Sequence, residues 1–182
     1  MFRSIRTPPF AAGAGGGAQL VAIQVDATKT AAEGLCELFA RTEALPTVIL
    51  RTARFFPEAD DDPALRGAYG QDNVQANELL YRRADIADVV EAHLLAIERA
   101  GTLGFGRYVI SATTPFTPRD LANLRVDAPS VLRRLFPDFE DLYAACGWRM
   151  FDSLDRIYAN GRARADLDWR PVYDFAHALD AL

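Results

Sequence analysis

Residues 28–50 read TKTAAEGLCELFARTEALPTVIL, and the fold class turns on them. Ala32, Leu35, Cys36 and Phe39 recur at three- and four-residue intervals, one face of a 3.6-residue helix, and Thr30 with Glu33 has capping-box spacing, so a helix is expected from near Thr28. Pro46 then precedes Thr47-Val48-Ile49-Leu50, a β-branched run without alternation, as a strand buried on both faces of a parallel sheet requires. Helix, short loop and such a strand make half of a βαβ unit, which points to an α/β fold. Upstream, the apolar run Leu20–Val25 reads as a further strand.

Working outward, residues 1–19 carry Pro8-Pro9 and an Ala/Gly tract and read as a low-complexity leader, leaving 20–182 as a single α/β domain. Pro57 to Asn73 is rich in acids, proline and glycine, and is read as a functional lid or as a loop with a helix in its middle. Ile86, Val89, Val90, His93, Leu94 and Ile97 then give the strongest periodic signal, a helix opened by Asp85 and Asp88 and ending near Gly101. Arg107 to Ser111 reads as a strand, and helix starts follow at Thr117-Pro118 and Asp127-Pro129. A helix over 138–146 should end on Gly147, a strand is expected near Arg156 to Tyr158, and Val172, Phe175, Leu179 and Leu182 mark a terminal amphipathic segment. About three to five strands are expected in all.

Half of the 182 residues are hydrophobic, enough for one core, and the net charge of −5 is mixed along the chain. A nucleic-acid partner is not expected without a basic block, and no run suits a membrane span. Cys36 and Cys146, outside any metal-ligand spacing, read as small buried hydrophobes in a reducing compartment, so a cytoplasmic protein without a metal site is expected.

Nineteen arginines stand against a single lysine, Lys29. Placed in the first turn of its helix, Lys29 would feel positive potential from backbone N–H groups and the dipole. Arg51 and Arg54 follow the buried strand at the carboxyl edge, where parallel sheets bind ligands, and guanidinium groups grip phosphate oxygens bidentately. Arg82, Arg83, Arg149 and Arg156 are further anion candidates, each open to reading as an ordinary salt-bridged arginine. His93 reads as a packed, hydrogen-bonded core residue, and His177 as a cation near the carboxyl end of the last helix. Gly13-x-Gly15-x-x-Ala18 satisfies the dinucleotide pattern in letters, but Pro8-Pro9-Phe10 is not the buried strand it must follow.

Four stretches carry a resemblance: Ala27 to Glu33, Leu50 to Glu58, Asp85 to Ala92, and Asp168-Trp169-Arg170-Pro171. In order and spacing, the chain from Asp26 onward resembles the C-terminal part of extended short-chain dehydrogenase/reductase proteins, the NAD-dependent epimerase/dehydratase family. The resemblance implies a partial Rossmann-like sheet joined to a smaller substrate-binding part. Full-length members hold NAD or NADP and grip a nucleotide-sugar. Their Tyr-x-x-x-Lys pair performs proton transfer and ribose binding. Lys29 matches the lysine, as a catalytic and cofactor-binding residue, but Val25 stands at the tyrosine position and Arg54 near the family's Asn.

Only 28 residues precede Lys29, where the family needs its glycine fingerprint and acidic ribose contact. Three roles follow: an epimerase-like fragment inactive alone; a non-catalytic module binding nucleotide-sugar, phosphate or a partner chain; or an oxidoreductase completed by a partner. Substrate contacts would fall to Arg51, Arg54, Arg83, Arg149 and Arg156. A homodimer or an aggregation-prone chain is expected too, since the helix carrying Ala32, Leu35 and Phe39 would leave an apolar face bare.

Overall fold

The computed structural model describes residues 16–55 and 63–182, with side chains from Ala27 onward. Its elements run α1 (Gly16–Thr42), β1 (Thr47–Thr52), α2 (Pro63–Ala68), α3 (Gln71–Leu79), α4 (Ile86–Leu103), β2 (Phe105–Ile110), a 3₁₀ turn (Pro118–Asp120), α5 (Leu121–Leu124), α6 (Ala128–Leu135), α7 (Phe139–Cys146), α8 (Gly161–Asp166) and α9 (Phe175–Asp180). The class is α/β, as expected.

β1 and β2 pair in parallel, from Thr47 opposite Phe105 to Thr52 opposite Ile110. Among the described residues the sheet has these two strands, fewer than the three to five expected. The segment read as a strand near Arg156 joins no ladder; Tyr158 donates a single backbone bond to Tyr81. Leu20–Val25, read as a strand, is helical inside α1. Helix therefore starts at Gly16, inside the tract read as a leader, and residues 1–15 lie outside the described residues, with Gly13 and Gly15 of the formal fingerprint.

The two sheet faces are covered differently. Val48, Leu50, Tyr108 and Ile110 pack on Val89, Ala92 and Ala96 of α4, with Ala163, Leu167 and Trp169 closing the cluster. On the opposite face Glu33 and Glu37 of α1 reach Arg51 and Arg107 of the strands. A second cluster, without sheet residues, gathers helices and the loops between them and holds Leu80, Leu124, Leu132, Phe139, Tyr143, Phe151 and Phe175. No described helix is long and apolar enough to cross a membrane.

The local devices at the helix ends mostly stand as expected. Asp85 caps α4 by accepting from Ala87 N at 2.8 Å, Asp127 caps α6 by accepting from Ser130 N at 3.0 Å, and Gly147 ends α7 in the left-handed region at φ 66°. The stretch from Pro63 onward is helical, as one of the two readings of the acidic segment had it; residues 56–62 lie outside the described ones.

Candidate functional site at the carboxyl edge of the sheet

β1 and β2 part after Thr52 and Ile110, and the segment around Arg83 enters between their continuations. Arg54 forms a parallel bridge with Arg83, Ala84 N donates to Arg54 O at 2.9 Å, and Ala112 N donates to Arg83 O at 2.8 Å. A fourth segment joins them. Tyr158 N bonds Tyr81 O at 3.1 Å, and the Asn160 amide donates to Ser111 O at 2.9 Å and to the Thr113 hydroxyl at 3.1 Å. Four stretches far apart in sequence thus meet at the carboxyl edge of the parallel strands, where such sheets place ligands.

Arginine and carboxylate alternate across this junction. The fully buried Glu78 accepts from Arg83 Nε at 2.9 Å and pairs with Arg82 at 2.6 Å. Arg82 also feels Asp155, which pairs with Arg156. Burial is the largest influence on Arg83 and holds its pKa below the usual arginine value; Glu78 opposes that, while Arg54 and Arg82 add to it by repulsion. Arg156 holds Asp155 below the usual carboxylate value, mainly through their hydrogen bond, and is itself raised by it. The Ser111 hydroxyl, inside the junction, is buried without a hydrogen-bond partner.

Of the arginines expected to contact substrate, Arg54 and Arg83 come together here, and Arg156 joins them through Asp155, which also feels Arg82. Arg51 does not: it turns onto the other sheet face and grips Glu33 at 2.8 and 2.5 Å, which lowers the Glu33 pKa. Arg149 is elsewhere too, its guanidinium 4.4 Å above the Tyr69 ring and bonded to Ala68 O, while Asn73 and Asn77 hold its backbone. Both are structural ties.

Lys29 needs correction of another kind. With α1 starting at Gly16, it sits in mid-helix, beyond the first turn whose exposed N–H groups would have acted on it. Because Glu37 meets Arg107 and Glu33 meets Arg51 further along the strands, α1 runs antiparallel to them, and Lys29 lies one turn beyond Glu33 toward the carboxyl edge. It is exposed. Val25 belongs to the same helix, with its side chain outside the described residues.

His93 bonds Val89 O at 2.8 Å but is exposed, not in the core. His177 lies in the last turn of the six-residue α9, as expected, and its backbone N–H donates to the capping Asp174 at 3.1 Å. Cys146 is exposed and Cys36 half-buried, both free, so neither is the buried hydrophobe expected.

Glu78, Ser111 and Asn160 escaped the sequence reading. A signal existed for Glu78: Arg82 stands four residues after it, the helical spacing of an ion pair.

Chemically, the junction offers fixed guanidinium groups for an anion. The described residues do not fit a dinucleotide cradle: β1 exits into the Arg83 bridge and β2 into Ser111–Thr117, neither through a glycine turn opening a long helix. Tyr108 and Tyr143 are buried phenols pushed up chiefly by burial and bonded to Asp166 and Asn77, away from any acid–base role.

No protein-family model and no curated protein match the chain. Two solved structures are similar over 85% of it. One is UDP-N-acetylglucosamine 4-epimerase from Bacillus cereus, at 16% identity with a TM-score of 0.49; the other is RMD from Pseudomonas aeruginosa complexed with NADPH, at 18% identity with a TM-score of 0.44. The chain spans about half of each, 49% and 52%. A likeness at this distance assigns neither activity nor ligand.

Proposed function

We propose that this chain is the substrate-side part of a protein of the NAD(P)-dependent epimerase/dehydratase type, and that alone it binds a nucleotide-sugar-like anion without turning it over. What carries the reading is the meeting of Arg54, Arg82, Arg83 and Arg156 at the carboxyl edge of two parallel strands. Arg82 and Arg83, held by the buried Glu78, are already oriented, so a diphosphate meets donors whose ordering cost is paid on folding.

The absence of turnover rests on two separate grounds. Valine at position 25 has no transferable proton, which removes the roughly 10²–10⁴-fold contribution of a general acid/base. Hydride chemistry further needs a nicotinamide positioned against the substrate, and the described residues offer no pyrophosphate cradle.

Parallel calorimetric titrations with UDP and with NADH test the reading. Saturable one-to-one binding of UDP and none of NADH is expected. Micromolar NADH binding would overturn it and make Lys29 a working cofactor ligand.

A further inference from the structure

We propose that Asn160-Gly161 is a self-modification site: Asn160 deamidates when its side chain leaves Ser111 and Thr113, and the aspartate or isoaspartate it becomes releases the start of α8 from the continuation of β2. The proposal stands apart from what the arginine junction binds.

The first observation is chemical. The chain has four asparagines, Asn73, Asn77, Asn123 and Asn160, followed by Val74, Glu78, Leu124 and Gly161. A backbone nitrogen that attacks the preceding Asn Cγ forms a C–N bond and expels the amide nitrogen as ammonia, its own hydrogen going to the leaving group. Water then opens the five-membered imide at either carbonyl, giving Asp or isoaspartate. A residue without a β-carbon crowds that attack least, and of the four followers only Gly161 is one. Gly161 is exposed, so water reaches it, and its N–H opens α8, among the first-turn donors that have no partner inside a helix.

The second observation is how the fold holds this pair. Asn160 is 5% exposed and stands at the cap position of α8, yet its side chain makes no cap bond. Its Nδ2 instead donates to Ser111 O at 2.9 Å and to Thr113 Oγ1 at 3.1 Å, which uses both amide hydrogens. The backbone at Asn160, with φ −95° and ψ 5°, turns the Gly161 nitrogen toward the Asn160 nitrogen and away from the side chain. Attack requires ψ to rotate, and that carries Asn160 O away from Arg164 N, its donor at 3.0 Å. Three bonds thus keep the reacting groups apart, and the reaction goes through local opening of this segment.

The product does not fit where the amide was. An ionised aspartate has no hydrogen to give Ser111 O and sets a charged oxygen against it, in a buried place where an unpaired carbonyl is unfavourable. Isoaspartate also lengthens the main chain by one methylene where α8 begins. α8 rests on β2 through Ala163, and its Asp166 accepts from the Tyr108 hydroxyl at 3.1 Å, so a shift at position 160 loosens the helix from the strand.

Peptide mapping by mass spectrometry after incubation at mildly alkaline pH tests this, on the folded chain and on the chain in urea. Conversion should fall on Asn160 and not on Asn73, Asn77 or Asn123, and should be faster in urea. Thr113→Val, which removes one acceptor, should speed it roughly 2- to 10-fold in the folded chain and leave the rate in urea unchanged. Gly161→Ala should suppress it in both states; a β-carbon there meets nothing within 4 Å, so the fold is kept. The converted fraction, separated by its added negative charge, should exchange amide hydrogens over 161–167 faster than the unconverted chain. Equal rates in the folded chain and in urea, or a Thr113→Val rate equal to the parent's in the folded state, overturn the proposal. So does a converted chain whose exchange over 161–167 is unchanged.

Discussion

At Gly106, a β-carbon would sit 2.5 Å from the ring of Tyr108, whose phenol is held by Asp166 at 3.1 Å. Gly106→Ala should therefore destabilise the fold by about 1–3 kcal/mol through overpacking, read as a fall of several degrees in the thermal midpoint. Asp88 does comparable work: its two carboxylate oxygens accept from Val172 N and Tyr173 N at 3.0 Å each, and its backbone carbonyl takes the Trp169 indole. Burial pushes its pKa up against those bonds. Asp88→Ala should cost about 1–3 kcal/mol by leaving both amides without an acceptor, measured by urea denaturation. Val25→Tyr should create no NAD-dependent turnover in a steady-state assay, because a phenol restores one step only. At this scale the sequence disclosed the caps at Asp85 and Asp127, whose partners lie within three residues. It did not separate Arg54 from Arg51, since that distinction depends on which way α1 turns Glu33.

For single elements, α1 and α4 show how little a periodicity says about which face the sheet takes. On α1 the face carrying Leu35 and Phe39 is left bare, as expected, at 56 and 52% exposure, and it is Glu33 and Glu37 that face the sheet. Periodicity shows that a helix has an apolar face but not which face the sheet takes, and strand arginines at 51 and 107 drew the carboxylates inward. The expected stripe of α4 likewise faces outward except at Val89, because that helix is apolar around most of its circumference and the small residues Ala92 and Ala96 fit closest to the sheet. The seating of α1 is thus acid-sensitive. Glu33 is lowered from 4.5, chiefly by its bond to Arg51, so its contribution is fully present above about that pH and is lost as pH falls through the lowered value. The thermal midpoint of the parent chain should exceed that of Glu33→Gln at pH 7, and the gap should close on acidification below pH ~4. A gap independent of pH would contradict the ionic seating.

Over the whole molecule, two clusters are tied together by the C-terminal segment: Leu167 and Trp169 close the sheet cluster, Asp88 grips Val172 and Tyr173, and Phe175 and Leu179 enter the helical cluster. The α/β class and helix succession were legible because they depend on local signals. The junction at the carboxyl edge was only partly legible, since it assembles residues near 54, 83, 112 and 158 whose proximity no local pattern encodes. The central claim is that this junction, and not arginine content in general, holds an anion. Its most direct test is calorimetric titration of UDP into the parent chain and into Arg54→Ala, Arg51→Ala and Arg149→Ala. Saturable binding weakened about 10- to 100-fold by Arg54→Ala alone is predicted, the loss of a charged hydrogen-bonding partner. No saturable binding to the parent chain, or an equal loss in all three variants, would contradict it.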